Sequence, residues 1–408
     1  MTTARCGITQ PRLPLGEFIV LIAMLFAMTA FSIDSMLPAL PQIAGELSSD
    51  DPNRAQLIIA SFVLGMGFGT FITGPISDAF GRRGVILGGA AIYSVGAALA
   101  WAAPSLELII VARFLQGLGV AGPRIAAMAL VRDLYSGREM ARIISIMMMV
   151  FVLVPAVAPL MGAVIIHQFG WRSIFLAFIL FAGLVSTWFG LRQPETLSVA
   201  RRRPLKFVLI AAATGEILTH RVVAMVTLVM ALGFAMLFAT IASVQQIFDQ
   251  TFGRAESFPS WFAFIALVAG SGNLLNAQLV MRMGMRWMVT VTFAAQIVIS
   301  GTMALLFGMG VLTPEGEFLA FLFWVCSIFF TAGLTLGNLN ALALEPMGHI
   351  AGTAASIVSA VATVISVLIA APIGLAFDGT PLPLMHGVLL CCLAALPIMI
   401  FLPRPDRD

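Results

Sequence analysis

The chain has 408 residues, of which 60% are hydrophobic and 10% are charged. Soluble globular domains carry about 25% charged residues, so this composition excludes an ordinary soluble protein and is typical of a membrane protein. The formal net charge is only +3, and the four cysteines show no metal-ligand or disulfide spacing. We therefore expect no metal, no organic cofactor and no nucleic-acid partner.

Apolar stretches near 20 residues recur through the chain, and about 20 apolar residues are needed for a helix to cross a bilayer. Twelve such segments are predicted. They cover residues 16–37, 55–77, 84–103, 106–131, 141–167, 172–191, 221–248, 258–281, 286–309, 317–342, 351–377 and 382–402. The sequence therefore predicts an all-α integral membrane protein with twelve transmembrane helices.

A basic connection divides the predicted helices into two halves. We predict an N-terminal six-helix bundle over 1–192, a cytoplasmic linker with an interfacial helix over 193–220, and a C-terminal six-helix bundle over 221–408. With both termini in the cytoplasm, 17 of the 22 basic residues face the cytoplasm, whereas the acidic residues divide evenly. This asymmetry follows the positive-inside rule. We expect a multi-pass protein of a bacterial inner membrane, with a first helix that is retained.

The first span, GEFIVLIAMLFAMTAFSIDSML, carries an aspartate, Asp34, near its predicted outer end. A carboxylate inside a membrane span is energetically costly, so it is normally paired, protonatable or exposed to a water-filled cavity. We predict that Asp34 takes part in proton coupling and faces Arg113 of the fourth span across an aqueous cavity. The alternative role is an interfacial anchor, because the chain turns at Pro38 and Pro41 soon afterwards.

A charged turn joins the second and third spans in the sequence GPISDAFGRRGVILGG, at residues 74–89. Its glycines and proline allow a tight turn, and its acid lies within reach of two arginines. We predict a conformational latch at the cytoplasmic face, although the arginines would also serve topology alone. The predicted latch consists of Gly74, Asp78, Gly81, Arg82, Arg83 and Asp133.

This turn resembles the cytoplasmic loop motif of the major facilitator superfamily, G-x-x-x-D-x-x-G-R-R, at all five fixed positions. A degenerate copy, MRMGMRW, lies between the eighth and ninth spans at 281–287. It keeps a glycine and an arginine of the motif, as Gly284 and Arg286, but has Met281 at the position of the acid. Two six-helix halves with a site between them are the plan of duplicated transporters.

The segment RFLQGLGVAGPRIAAMALVRDLY, at residues 113–135, begins within the fourth span. Arg113 and Gln116 are three residues apart and therefore lie on one helix face. The segment resembles the fourth-helix motif of the superfamily, in which an intramembrane arginine is linked with proton coupling. Arg124 follows on nearly the same face. We include Gln116 and Arg124 among the substrate-binding candidates.

The fifth span contains two prolines, Pro155 and Pro159, each of which removes a backbone hydrogen bond and is predicted to bend the helix. Gly162 belongs to the same predicted bend. The segment APLMGA, at 158–163, resembles the G-P-x-x-G-G motif of the antiporter branch of the superfamily, with alanine in place of the first and last glycines. The resemblance implies exchange of one solute for another.

Polar side chains within spans of the second half are the remaining candidates for a substrate pocket. They are Gln245, Gln246, Asn273, Asn276, Asn338 and Asn340. Each is equally suited to an interhelical hydrogen bond, so the sequence leaves both roles open. The two tyrosines, Tyr93 and Tyr135, are interpreted as interface anchors near span ends.

Four segments resemble the Bcr/CflA (bicyclomycin/chloramphenicol resistance) branch of drug:proton antiporters, and the resemblance runs through essentially the whole chain. They are FSIDSMLPALPQIA, RFLQGLGVAG, ALVRDLY and ALALEPMGHIAGTAASIVSA. The resemblance implies the major facilitator fold with a central cavity, and a monomer that acts on small molecules and protons in a lipid bilayer. It further implies proton-coupled export of small amphipathic compounds by alternating access.

Drug export has several alternatives. An exporter of a specific metabolite, such as an amino acid, nucleoside or sugar, keeps the fold and changes the cargo. An inward proton symporter is disfavoured by Pro159 and by the resemblance. An intramembrane enzyme needs a nucleophile–base pair or a metal cluster, and no H-E-x-x-H motif occurs in the sequence. A structural or receptor role leaves Asp34, Arg113 and the loop motif unexplained.

Overall fold

The computed structural model describes residues 13–202, 205 and 207–403. Within these residues the chain forms α-helices joined by turns, 3-10 segments and a π-helical segment, Ile247–Thr251. They are α1 (Leu15–Asp34), α2 (Leu40–Leu47), α3 (Leu57–Phe80), α4 (Arg82–Ala102), α5 (Leu106–Leu134), α6 (Gly137–Phe169), α7 (Ser173–Arg192), α8 (Phe207–Thr219), α9 (Arg221–Gln246), α10 (Phe258–Met283), α11 (Met285–Met309), α12 (Pro314–Leu344), α13 (Ala351–Leu375) and α14 (Leu382–Ile400). The outer limits of the two predicted bundles, at 1–12 and 404–408, lie outside the described residues.

Twelve helices of the described chain have the length and apolar composition of membrane spans, as the sequence predicts; only α2 and α8 are too short. Helices α12 and α13 form one helical run, Pro314–Leu375, so the chain has eleven such runs. A 3-10 segment, Glu345–Ile350, divides that run, because Met347 leaves helical geometry with φ −108° and ψ 26°. This break confirms the predicted boundary between the tenth and eleventh spans.

The long helices pack as two bundles of six. In the first, α5 packs against α3 and α4, α1 against α6, and α4 against α7. In the second, α9 packs against α12, α13 and α14, α10 against α12, and α11 against α14. The bundles meet mainly where α3 contacts α13 and where α6 contacts α10, which are corresponding pairs from the two halves.

Glycines hold α5 close to α3. A Cβ at Gly65 would lie 2.0 Å from the backbone oxygen of Phe114, and a Cβ at Gly117 would lie 2.0 Å from that of Phe62. Small residues let helix backbones approach in this way, and the contact is stabilised by van der Waals packing. The close approach fixes the position of α5, which carries both intramembrane arginines.

The two ends of the molecule are distinguished by their connections. The linker end carries the turn at Gly81 and the connection at 193–220, and the far end carries the connection at 35–56 between α1 and α3. Helix α8 has 13 residues, too few to span a bilayer, and packs against α9 and α13. Its predicted position at the membrane interface stays a prediction.

Candidate functional site

Asp34 is the last residue of α1 and lies at a cavity between the two bundles. Its relative exposure is 4%, and the cavity has a volume of about 330 Å³. Helices α1, α3, α5 and α6 line one side, and α9, α10 and α12 line the other. The described part of the chain supplies no hydrogen bond or ion pair to the Asp34 carboxylate. The predicted central cavity is therefore present, with an unpaired acid on its wall.

The cavity wall is mostly apolar, with two further polar groups. Phe234 and Phe238 of α9 stack nearly parallel, with ring centroids 5.7 Å apart and an interplanar angle of 16°. Arg124 of α5 and Asn273 of α10 line the same space. Two of the predicted substrate-binding candidates thus lie at the same cavity as Asp34.

Arg113 is fully buried inside the first bundle and has good acceptors. Its Nη1 donates to Oε1 of Gln116 at 2.7 Å, and its Nη2 donates to the backbone oxygen of Ser32 at 3.0 Å. Its Nε lies 3.4 Å from the backbone oxygen of Ile58, and its guanidinium stacks over the ring of Phe62 at 4.2 Å. These contacts join α5 to α1 and α3.

The sequence predicts that Arg113 faces Asp34 across the cavity. In this structure it does not. The guanidinium reaches α1 through the carbonyl of Ser32, two residues before the acid. A backbone acceptor leaves no mark in a sequence, because every residue has a carbonyl group. The proton-coupling role of Arg113 stays a prediction, and any such role acts through α1 and not through a direct ion pair.

The interpretation of Tyr93 as an interface anchor is wrong. Tyr93 lies near the middle of α4, is fully buried, and its hydroxyl is 2.5 Å from the hydroxyl of Ser32. Buried tyrosines need a partner for the hydroxyl, and Ser32 provides it. Tyr135 lies at the end of α5, as expected, and packs against Phe18 with ring centroids 5.2 Å apart.

Arg124 differs from Arg113 in its surroundings. It follows Pro123 inside α5, and its Nη1 lies 3.4 Å from the sulfur of Met66. A thioether is a weak acceptor. Among the residues that the structure describes, no carboxylate lies within 4.0 Å of this guanidinium. Arg124 thus presents a cation to the cavity with little compensation from the protein.

The predicted latch residues come together at the linker end. Arg82, which is 8% exposed, binds Asp78 Oδ1 through Nη1 at 2.5 Å and Asp133 Oδ2 through Nε at 3.0 Å. The cluster joins α3, α4 and α5, all within the first bundle. Gly74 lies nearer the second bundle, since a Cβ there would be 3.3 Å from Oγ of Ser356 on α13.

Glu195 completes this cluster and was missed by the sequence analysis. Its two carboxylate oxygens accept the backbone N–H groups of Arg82 at 2.9 Å and Arg83 at 3.0 Å, at the start of α4. The first N–H groups of a helix have no intrahelical partner, and the helix dipole favours an anion there. No spacing rule links residues 113 positions apart, so the sequence gives no signal for this contact.

The start of the predicted linker packs on the first bundle. Gln193, Thr196 and Leu197 are buried, and the Thr196 hydroxyl donates to Oδ2 of Asp133 at 3.2 Å. The side chain of Arg83 donates to the backbone oxygen of Gly190 near the end of α7, at 2.7 Å. Residues 193–197 therefore tie the end of α7 to the predicted latch.

Gln246 lies at the far end and joins the two bundles. Its Nε2 donates to Oδ1 of Asn53 at 2.7 Å, and its Oε1 accepts from Gln56 at 2.7 Å. Ser243 donates to Oε1 of Gln56 at 2.9 Å, and Asn53 donates to the backbone oxygen of Phe377 at 2.8 Å. We name Asn53, Gln56, Ser243 and Gln246 the far-end seal. Gln246 is thus a contact between bundles and not part of the cavity wall.

The other amide candidates divide between packing and no visible role. Asn338 donates to Oδ1 of Asn276 at 2.7 Å, which links α12 to α10. Gln245 is buried, and its Oε1 has no hydrogen-bond partner in the described part of the chain. Asn340 is half-buried on α12. Within the described residues, the cavity lining includes neither these four nor Gln116.

The predicted bend residues lie in α6, which is continuous over Gly137–Phe169. Pro155 lines the cavity. A Cβ at Gly162 would lie 2.2 Å from the backbone oxygen of Ser35, so this glycine allows α6 to touch the residue after Asp34. The bend stays a prediction, whereas the close approach at Gly162 is a packing role that the sequence did not indicate.

Comparison with known proteins agrees with these features. The family model described as Major Facilitator Superfamily matches residues 20–371. The bicyclomycin resistance protein homolog of Haemophilus influenzae is 27% identical over 391 residues, which cover 94% of this chain and 96% of that protein. The chloramphenicol resistance protein of Pseudomonas aeruginosa is 28% identical over 371 residues, which cover 82% of this chain and 85% of that protein.

A solved structure shows the same fold. The xylose transporter XylE from E. coli, in a partially occluded inward open conformation, superposes with a TM-score of 0.74 at 12% identity. The superposition covers 96% of this chain and 100% of that one. At this identity the similarity concerns the fold alone.

Proposed function

The chain belongs to the Major Facilitator Superfamily, and we propose that it is a proton-coupled multidrug antiporter that exports small amphipathic compounds by alternating access. Membership makes it a multi-pass membrane transporter of small molecules. The names of two relatives, which refer to bicyclomycin and chloramphenicol resistance, support a drug-like cargo. The observation that carries the proposal is the position of Asp34 at the cavity between the bundles.

An unpaired carboxylate on an apolar cavity wall can be compensated in two ways. It can take a proton, or it can accept hydrogen bonds or a positive charge from a bound molecule. Protonation removes the negative charge and part of the acceptor capacity of the carboxylate. A proton and a substrate that needs the ionised acid therefore exclude each other at Asp34. Such exclusion, combined with access from alternate sides, produces exchange of substrate for protons.

Arg113 supports this exchange as a positioning residue. It holds the carbonyl of Ser32 on α1 and the side chain of Gln116 on α5. A change of charge at Asp34 that moves the end of α1 therefore acts directly on the α1–α5 contact. This coupling passes through the backbone, and it explains why a fully buried arginine is held by a carbonyl of the same helix as the acid.

The two ends of the molecule supply the alternating barriers. We place the linker end in the cytoplasm, because the topology predicted from the sequence assigns 17 of the 22 basic residues to that side. The far-end seal then closes the outer side through hydrogen bonds between the bundles. At the linker end, a second cavity of about 390 Å³ lies between the charged cluster and the start of α13. Closure of this second cavity, together with loss of the hydrogen bonds of the far-end seal, would open the central cavity to the outer side.

The proposal is tested with purified protein in liposomes that contain a pH-sensitive dye. Chloramphenicol, bicyclomycin, cationic dyes and a set of metabolites are added one at a time across an imposed pH gradient. We expect substrate-triggered proton movement with the wild type and none with Asp34→Asn. Asp50→Asn, at an exposed aspartate of the far end, is the matched control and keeps the wild-type response.

Two results would contradict the proposal. One is full proton movement with Asp34→Asn. The other is transport by the wild type without any proton movement, which would make the protein a uniporter or a differently coupled carrier. A response to one metabolite and to none of the drugs would instead establish the specific exporter considered above.

A further inference from the structure

We propose that Arg124 sets the charge selectivity of the central cavity, so that the cavity accepts net-neutral amphipathic molecules, uncharged or zwitterionic, and rejects lipophilic monocations. The inference rests on the proposed function in one respect, because it takes this cavity as the transport site. It adds the charge class of the cargo and a residue that determines it.

The first support is the poor compensation of Arg124 by the protein. A guanidinium carries five N–H donors, and Arg113 places its own against two carbonyls and an amide oxygen. Arg124 has one contact, with the sulfur of Met66, and its other donors have no acceptor in the described part of the chain. An intramembrane cation normally pairs with an acceptor or faces a water-filled space. Its remaining donors are therefore available to a molecule in the cavity that Arg124 lines.

The second support is the charge balance of the cavity wall. Asp34 and Arg124 are the ionisable side chains in the lining that the structure describes. In one small cavity both charges act on any ligand, because Coulomb interactions fall only with the inverse of distance. A monocation attracted by Asp34 is repelled by Arg124, and a monoanion meets the reverse. A molecule with a donor at one end and an acceptor at the other is favoured by both.

The third support is the shape and chemistry of the remaining wall. A volume of about 330 Å³ is at the small end of the range for drug-sized ligands. The parallel rings of Phe234 and Phe238, with Phe329 in the same lining, offer flat apolar surface to a ring. Asn273 adds a neutral hydrogen-bonding group. These features fit a compact molecule with one aromatic ring and polar ends.

Exchange with protons adds a further constraint on charge. A ligand that binds only Arg124 as an anion is favoured when Asp34 is protonated, since the competing negative charge is then removed. Such a ligand would move together with the proton and not against it. A ligand with a donor group on Asp34 requires the ionised acid, which is the condition for antiport. A net-neutral ligand that contacts both side chains meets this condition.

The test compares the binding of three ligands of similar shape to purified protein in detergent. They are 4-phenylbutanamide, which is neutral, 4-phenylbutylamine, which is a cation at neutral pH, and 4-phenylbutyrate, which is an anion. Isothermal titration calorimetry measures each dissociation constant. With the wild type we expect the amide to bind at least about tenfold more tightly than the amine. The amide offers an N–H group to Asp34 and an oxygen to the Arg124 donors, whereas the ammonium group has no acceptor for Arg124 and is repelled by it.

The variants assign this preference to one side chain. Arg124→Gln is expected to bind the amine and the amide within about threefold of each other, whereas Arg124→Lys, which keeps the charge, retains the exclusion of the amine. Arg282→Gln, at an exposed arginine of the linker end, is the matched control and behaves as the wild type. Retained binding of the amide shows that each variant is folded.

Three results would overturn the assignment. They are equal binding of amine and amide by the wild type, an unchanged preference in Arg124→Gln, and binding of none of the three ligands. Because these measurements use no proton gradient, they separate the inference from the proposed function. If the amide binds more tightly than the amine but the liposomes show no proton movement, the charge selectivity is supported and proton coupling is refuted.

Discussion

The same turn occurs once in each half of the molecule, before α4 and before α11. Gly81 has φ 102° and Gly284 has φ 80°, with ψ of 158° and 149°, a backbone region that is essentially restricted to glycine. Two residues later, Arg83 donates to the oxygen of Gly190 and Arg286 donates to that of Ile400. Each arginine thus binds carbonyls at the end of the last helix of its own bundle.

The two turns differ in their acids. In the first half, Arg82 contacts Asp78 and Asp133, and Glu195 lies over the turn. In the second half, Met281 occupies the position of the acid, and a Cβ at Gly284 would have nothing within 4 Å. The shared geometry is therefore a packing device, whereas the charged cluster, within the residues that the structure describes, belongs to the first half.

The interiors of the bundles follow the same division. Asp34, Arg113 and Arg124 all belong to the first bundle. The second bundle contains neutral networks, such as Gln296 with Ser327 at 3.1 Å. We infer that the first half carries the charged groups for proton coupling and for the conformational change, and that the second half supplies a neutral wall of the central cavity.

Neutralising the cluster is expected to have the largest effect. Arg82→Gln leaves Asp78 and Asp133 without their shared cation, which we expect to lower the transport rate at least about tenfold, because the buried Arg82 side chain ties α4 to α3 and α5 through these two carboxylates. Met285→Gln changes the corresponding position of the second turn and should leave the rate within about twofold. Initial rates of uptake into inverted vesicles measure both.

Binding affinity distinguishes a latch from a general defect. In detergent, Arg82→Gln should bind substrate within about threefold of the wild type, because the cluster does not line the central cavity. An equal loss of transport in Arg82→Gln and Met285→Gln would contradict the functional difference between the two turns.

Substituting the two glycines sharpens the comparison through stability. Gly81→Ala and Gly284→Ala both force a side chain into a glycine-only backbone region, at a cost of about 1–3 kcal/mol each. Gly81→Ala also places a Cβ 2.4 Å from the Glu195 carboxylate. We therefore expect the lower unfolding temperature for Gly81→Ala, measured by thermal denaturation in detergent. A larger loss for Gly284→Ala would show that Glu195 does not constrain the first turn.

Removing the acid over the turn should have the smallest effect. Glu195→Gln turns an amide group toward backbone N–H groups that need acceptors, and we expect a loss of about 1 kcal/mol. Asp50→Asn, at an exposed acid of the far end that is not in the first turn of a helix, is the control and should be neutral. The same thermal measurement checks the prediction, and identical unfolding of the two variants would contradict the role given to Glu195.

Features set by local rules were predictable from the sequence. Bilayer thickness and hydropathy determine the spans, so the predicted segments coincide with the long helices within a few residues. The pair Asp78–Arg82 is also local, because residues four apart face each other on a helix. The cavity position of Asp34 followed from the cost of a charge within a span.

Features set by tertiary contacts were not predictable. The partners of Arg113 include the carbonyl of Ser32, and every residue offers such a group. Glu195 and Gln246 meet partners more than 100 residues away, at positions decided by how the helices assemble. Gln246 therefore was assigned to the pocket although it seals the far end. Sequence patterns identify charged and polar side chains whose burial in a span costs free energy. They do not identify the neighbours that compensate this cost.

In the mechanism that we propose, a proton and a substrate exclude each other at Asp34. The most direct measurement is the release of protons when chloramphenicol binds the purified protein in weakly buffered detergent solution. We expect release of up to about one proton per bound molecule by the wild type and none by Asp34→Asn, because binding and protonation are linked through one carboxylate. Equal release by Asp34→Asn, or binding by the wild type with no release at any pH between about 5 and 9, would contradict it.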